Sequence, residues 1–333
     1  MTVLAERSSS ASPAQSRFAA PLRQSYELSL LGIVLLVILV MALSTGGAFT
    51  SSSNLRTFFV DVAIAAAPAV GMTLVILTGG IDVSIGSLLG LVAAVMGIGF
   101  EHGLPMVVVL PLAVAVGGLG GLLNALIIVK ARVPPIITTL GTLSIMRAAV
   151  FTLLGGNWIS SIPPSLTQIT VLDGISAVPA SFLVVLTMLL AAAHLARTRH
   201  LGRVIYAVGN NEEAALLAGL PVRRAKMVAY VSLGLLTGLS AILLLGQSPL
   251  VQSDTGVGFE LSVIAAVVVG GTSILGGKGS ILGSLLGVVL VELVDDAVIL
   301  YHIQSFWQGV VLGTIILIAV TFGIRRDGSR KAF

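Results

Sequence analysis

The chain has 333 residues, 56 % of them apolar and only 10 % charged, with a mean hydropathy of +1.08. A soluble domain carries about 25 % charge, so a soluble enzyme or a nucleic-acid-binding module does not fit, even with a net charge of +4. The absence of cysteine excludes disulfides, thiolate metal sites and cysteine nucleophiles. The 38 glycines suit transmembrane helices, where glycine is more frequent than in soluble ones.

In chain order, residues 1–27 form a polar tail with Ser8–Ser10, Pro13 and Pro21, expected to be loosely ordered. The apolar run behind it is longer than the core of a signal peptide and has no small-residue cleavage site close behind. It therefore reads as a retained first span. Membrane helices need about 20 mostly apolar residues. The chain offers ten candidates: 28–48, 58–78, 84–100, 106–129, 136–154, 180–196, 226–246, 259–275, 281–300 and 305–324. The third and eighth are short and glycine-rich and read equally as broken or re-entrant segments. The expected fold class is all-α: a single membrane domain over 28–324, an inside loop at 197–225 and a short tail at 325–333.

Charge tests this layout. With an inside N-terminus, the inside segments hold Arg7, Arg17, Arg23, Lys130, Arg132, Arg197, Arg199, Arg203, Arg223, Arg224, Lys226, Lys278, Arg325, Arg326, Arg330 and Lys331. Of the 18 basic residues only Arg56 falls outside and only Arg147 within a span. Cytoplasmic loops collect Lys and Arg, so ten spans with both termini cytoplasmic is the expected topology.

Two glycine-rich segments stand out. Gly79–Gly90 reads GGIDVSIGSLLG and Gly276–Gly287 reads GGKGSILGSLLG, alike at seven of twelve positions. Each leads into an inside-to-outside span, which is either a parallel internal repeat or two independent uses of small-residue packing. Loop 197–225 is the most charged segment. Asn211 suits an N-cap, Glu212 and Glu213 suit a helix N-terminus, and Gly219 with Pro221 stops the helix. The loop is thus expected to carry a helix of about two turns, read either as a contact with a cytosolic partner or as a solvated linker.

At this point the sequence resembles a family. EAALLAG after GNN looks like the coupling-helix region of ABC importer permeases. GGIDVSIGS and GGTSILGGKGSILGSLLG resemble the two glycine-rich segments of the ribose/xylose branch. NALIIVKARVPPIITTLGTLSIMR and GGNWISSIPPSL match it as well. The GGNWI and TGVGFE segments look most like the permeases for autoinducer-2 and for rhamnose, without separating the two. The resemblance implies a transport subunit, not an enzyme. Its partners would be a pair of cytoplasmic ATPases, a second permease (the same or a different chain) and a periplasmic sugar-binding protein, in the bacterial inner membrane. Contact with the ATPase would fall on Gly209, Asn210, Asn211, Glu212, Glu213, Ala214, Ala215 and Gly219.

The chain shows no motor of its own. In TSILGGKGS, the nearest approach to a P-loop, Thr272 replaces the first Gly and Gly279 follows Lys278. No cofactor or metal is therefore expected on this chain, with ATP and magnesium held by the partner. His102, His194, His200 and His302 form no H-E-x-x-H pattern. Asp295–Asp296 reads as solvated helix-end charge, because adjacent helical residues diverge too far to share a proton.

Polar groups at membrane depth are functional candidates. Arg147 lies near mid-membrane and needs a cavity or an acid, with Asp61, Glu260 and Glu292 as candidate partners. Asp82 either N-caps the third span or lines an inner gate with Ser84. Asn124 either bridges helices or meets cargo hydroxyls. Trp158, in the external segment 155–179, either anchors the interface or helps dock the binding protein. A neutral sugar-like cargo needs no central counter-charge. The rival reading is an ion-driven secondary transporter, which would have no use for a coupling helix.

Overall fold

The computed structural model describes residues 15–175, 177–304, 307–311, 313–314 and 317. Residues 1–14 of the expected N-terminal tail, the tail 325–333 and most of the tenth span at 305–324 lie outside the described residues. Residues 15–27 of the N-terminal tail are not loosely ordered but helical, extending the first span backwards as the start of α1. The architecture is helical: α1 (Gln15–Ser44), α2 (Ser52–Leu77), α3 (Ile85–Glu101), α4 (Met106–Lys130), α5 (Pro135–Leu154) and α6 (Pro164–Thr170). A two-strand hairpin follows, β1 (Asp173–Ile175) with β2 (Val178–Pro179). Then come α7 (Ala180–Thr198), α8 (His200–Asn210), α9 (Glu212–Leu217), α10 (Val222–Gln247), α11 (Phe259–Val269) and α12 (Ile281–Leu300).

Each of the first nine expected spans contains one of these helices. By length and composition, α1 (from Tyr26), α2, α4, α5 and α10 can cross a membrane alone. Helix α12 has 20 residues but carries Glu292, Asp295 and Asp296. The eighth span is shorter than its apolar run suggests. Helix α11 ends at Val269, giving 11 residues and about 16 Å, half a bilayer core. Residues 270–280 are a glycine turn, with Gly271, Gly276 and Gly277 at positive φ.

Helix α2 is the buried axis. It contains Pro68, which has no N–H to give to Ile64 O four residues earlier. Ser240 of α10 donates its hydroxyl to that carbonyl at 2.7 Å, so the broken backbone bond is repaired by a neighbour. Helix α10 also crosses α4 through glycines. A Cβ on Gly121 would lie 2.3 Å from Tyr230 O, and one on Gly117 would lie 2.3 Å from Gly234 O. Helices without a hydrophobic drive to associate pack at such small-residue stripes. Outward faces are apolar, among them Leu35, Leu39 and Leu43 on α1 and Ile137, Ile145 and Phe151 on α5.

Helix ends gather into two layers. In one, Tyr26 Oη donates to Val269 O at 2.6 Å, and Gly209 touches both Leu77 and Gly277. In the other, Ser44 meets Tyr301, Asn54 Nδ2 donates to Asp296 at 3.0 Å, and Ile159 pairs with Val251. Segments 79–83, 197–225 and 276–280, all expected on the inside, touch one another in the first layer.

Candidate functional site

The first layer carries the most organised polar structure. Helix α7 ends at Thr198, and α8 follows at an angle of 71° to it. Helix α8 is amphipathic. It buries Val204, Ile205 and Val208 in a cluster with Leu77, Ala215, Val222 and Ala225. Its residues read as loop in the sequence because Gly202, Arg203 and Gly209 interrupt the apolar pattern. Period-3.6 spacing of Leu201, Val204, Ile205 and Val208 is the signal that identifies it.

Helix α9 starts where its cap dictates. Asn211 Oδ1 accepts from Ala214 N at 2.9 Å, and Glu212 and Glu213 occupy the first turn. Gly219 has φ +73°, the left-handed stop. Ala215 is buried, while Leu216 and Leu217 are 63 % and 84 % exposed. The chain thus leaves two leucines largely uncovered on a polar segment outside the apolar helices. Lys226 holds Glu212 through both carboxylate oxygens at 2.7 Å, fixing α9 against the start of α10.

The two glycine-rich segments meet at the base of α8 and α9. Gly277 N donates to Leu77 O at 3.1 Å. A Cβ on Gly209 would lie 1.8 Å from Leu77 O and 2.4 Å from Gly277 N, and one on Gly276 would lie 3.0 Å from Gly79 Cα. No other residue fits at Gly209 without moving backbone. Gly79 and Gly276 both have positive φ, at +81° and +86°. Each turn runs at once into a helix that begins with isoleucine behind a serine, Ser84–Ile85 and Ser280–Ile281.

Beside this joint sits a buried cluster. Asp82 Oδ1 accepts from Ser84 N at 2.8 Å and Ser84 Oγ at 2.6 Å, while Oδ2 accepts from Asn124 Nδ2 at 3.0 Å. Asn124 Nδ2 also reaches Ser84 Oγ at 2.8 Å. Asp82 therefore does not cap α3, whose N-cap is Ser84 without a side-chain bond. It ties the turn to α4. Thr139 of α5 adds a bond to Ile81 O at 3.3 Å. Burial raises the Asp82 pKa above the ordinary carboxylate value, and the Ser84 and Asn124 bonds oppose that rise. The sequence reading missed Tyr230, fully buried, whose Oη lies against Gly80 and has no partner among the described residues. Its place one turn after Lys226 on α10 was the available signal. Tyr230, Asn210, Glu212, Lys226, Thr78 and Pro135 line a cavity of about 310 Å³.

Arg147 is elsewhere. Its Nη1 donates to Ser253 O at 3.1 Å and Thr255 O at 2.8 Å, and the nearby acids are Glu260 and Asp254. Of the candidate partners only Glu260 is beside it. Asp61 and Glu292 lie together with Asp295 and Asp296 in an outer-layer groove of about 570 Å³. Asp295 and Asp296 are therefore part of that groove, not freely solvated helix-end charges. Trp158 is 70 % exposed, next to Ile159.

Comparison with known proteins decides the class. Residues 54–320 match the family model described as "Branched-chain amino acid transport system / permease component". The chain belongs to this family. It is a multi-pass transport permease, and the resemblance read from its glycine and loop motifs is upheld. Among curated relatives, the "Autoinducer 2 import system permease protein LsrC" of Enterobacter sp. (strain 638) is 36 % identical over 86 % of this chain and 83 % of its own length. The protein of the same name from Klebsiella pneumoniae is 36 % identical, covering 86 % and 82 %. That of Yersinia pseudotuberculosis serotype O:3 is 33 % identical, covering 87 % and 84 %. No solved structure matches.

Proposed function

We propose that this permease is the membrane subunit of an ABC importer that carries autoinducer-2, rhamnose or a related small sugar-like solute from periplasm to cytoplasm. The likeness to relatives named for autoinducer-2 import supports the cargo class. The charge pattern supports ten spans with both termini inside, in a bacterial inner membrane, with α9 on the cytoplasmic side. A periplasmic binding protein delivers the cargo, a second permease completes the path, and ATP and magnesium bind a separate ATPase pair.

The observation that carries this reading is the placement of α9. Its exposed leucines face away from the body, while its root, Gly209–Asn211, is wedged against both glycine turns. A partner that moves α9 therefore moves the entrances to α3 and α12 together. Within the loop the roles divide. Glu213, Ala214, Leu216, Leu217 and Gly219 form the face offered to the ATPase. Gly209 and Asn210 pass the motion inward, and Asn211, Glu212 and Ala215 hold the helix in place.

Co-purification with its ATPase and ATPase-dependent uptake test the reading. Glu213→Lys is expected to abolish uptake while the permease still folds and inserts. Uptake that persists without any ATPase and collapses on addition of a protonophore would overturn it in favour of an ion-driven transporter.

A further inference from the structure

Arg147 uses only part of its guanidinium. Nη1 bonds Ser253 O and Thr255 O, and among the described residues nothing engages Nε or Nη2. Asp254 and Glu260 lie within its electrostatic reach, yet neither forms an ion pair with it. A guanidinium has five N–H donors in one plane, so three remain open. The side chain is half-buried, and Asp254 beside it is exposed.

Arg147 is the thirteenth residue of α5, about 18 Å along a helix that spans a core of about 30 Å. A permanent charge that is only half-buried at that depth cannot face lipid, so its open edge faces an aqueous path or polar groups. The site around it is built by glycines. A Cβ on Gly90 would lie 2.5 Å from Thr255 O and 3.4 Å from Arg147 Nη1, and one on Gly86 would lie 1.9 Å from Glu260 Oε2. Only with glycine at both positions can α3 come close enough for residues 253–260 to sit beside Arg147.

We propose that the open edge of Arg147, together with the carboxylates of Asp254 and Glu260, is a cargo-contact site in the transport path. Its ligand class is a compact, uncharged molecule with adjacent hydroxyl groups. The planar fork takes two oxygens side by side, and the carboxylates accept hydroxyl hydrogens. One cation with two anions disfavours an anionic cargo, and an apolar cargo would strip three charges of water without replacing it. Glu260 Oε2, buried and without a partner among the described residues, is an acceptor that the described side chains and backbone leave unused.

This inference rests on the importer reading, and its test keeps the two apart. The complete importer, with ATPase and binding protein, is reconstituted in vesicles and assayed with labelled rhamnose, autoinducer-2 and a deoxy analogue lacking one of two adjacent hydroxyls. Wild-type uptake that needs no ATPase overturns the importer reading alone. Arg147→Lys keeps the charge but loses the fork, and Asp254→Asn and Glu260→Gln keep the shape. For Arg147→Lys and Asp254→Asn, cargo moved per ATP hydrolysed is expected to fall about tenfold, the scale of a lost charged hydrogen bond. Preference for the hydroxylated cargo over the deoxy analogue should shrink, with ATP hydrolysis stimulated by the binding protein nearly unchanged. Glu260→Gln should change the same preference in the same direction. A purely structural role would lower hydrolysis, thermal stability and uptake together and leave the preference unchanged, which overturns the proposal. So would unaltered transport in all three variants, or a defect confined to pairing of the two permeases.

Discussion

At the end of the body that carries α9, three backbone segments touch through Gly209, Gly276 and Gly79, and a bond from Gly277 N to Leu77 O ties the second glycine turn to the end of α2. At the opposite end four carboxylates, Asp61, Glu292, Asp295 and Asp296, line an open groove, with Asn54 bonded to one of them. The first arrangement is tight, and close-packed backbone cannot yield locally. The second is an open groove lined with charge. Stiffness is therefore concentrated where α9 meets the body.

The sharpest way to break this contrast is Gly209→Val. With Leu77 O 1.8 Å from the first added atom, the joint must open, at a cost of about 3 kcal/mol. Thermal unfolding in detergent should show the loss, and uptake should vanish with it. Next comes Asn124→Leu, which removes the donor to Asp82 Oδ2 and leaves a buried carboxylate short of a partner. A loss of about 2 kcal/mol is expected in the same melt.

Asp82 gives the inner region a pH signature. Burial raises its pKa in the folded state, so ionisation opposes folding. Stability should rise as pH falls from the raised value towards the unfolded value of about 3.9, with no further gain below it. Asp82→Asn should remove that component from the pH dependence of the melting temperature. If the component persists, the Asp82 carboxylate is not its source.

Smaller effects are expected where the chain is open. Asn54→Ala removes the donor to Asp296 and should cost about 1 kcal/mol. Glu212→Gln weakens a pair whose acid is 56 % exposed and should change stability by about 0.5 kcal/mol or less. A loss at Asn54 equal to that at Gly209 would erase the distinction between the two ends.

Much of this organisation is legible in the sequence. Long apolar runs place α2, α4, α5 and α10 closely, because span length follows from bilayer thickness, but they miss the first part of α1, which starts at Gln15 within the polar tail. Asn211, the two glutamates and Gly219 mark α9 because caps act over three or four residues. Helix α8 was less visible, since glycines broke its apolar stripe, and α11 looked longer because Gly270 and Gly271 are as apolar as the helix before them. Asp82 followed by Ser84 reads as a cap, yet the carboxylate turns to Asn124 on another helix.

What the sequence by itself determined is local or set by the solvent: a membrane protein, the apolar runs that become its long helices, the segments that collect positive charge and the helix that stands out from the body. Only the tertiary structure decided which distant groups meet. It placed Arg147 beside Glu260 and the Ser253 and Thr255 carbonyls, gathered Asp61 with Glu292, and brought Gly79, Gly209 and Gly276 into contact. The physical reason is range. Apolar periodicity and capping act within a few turns, whereas these contacts join residues many tens to hundreds of positions apart, through close approaches that glycine permits and no local pattern encodes.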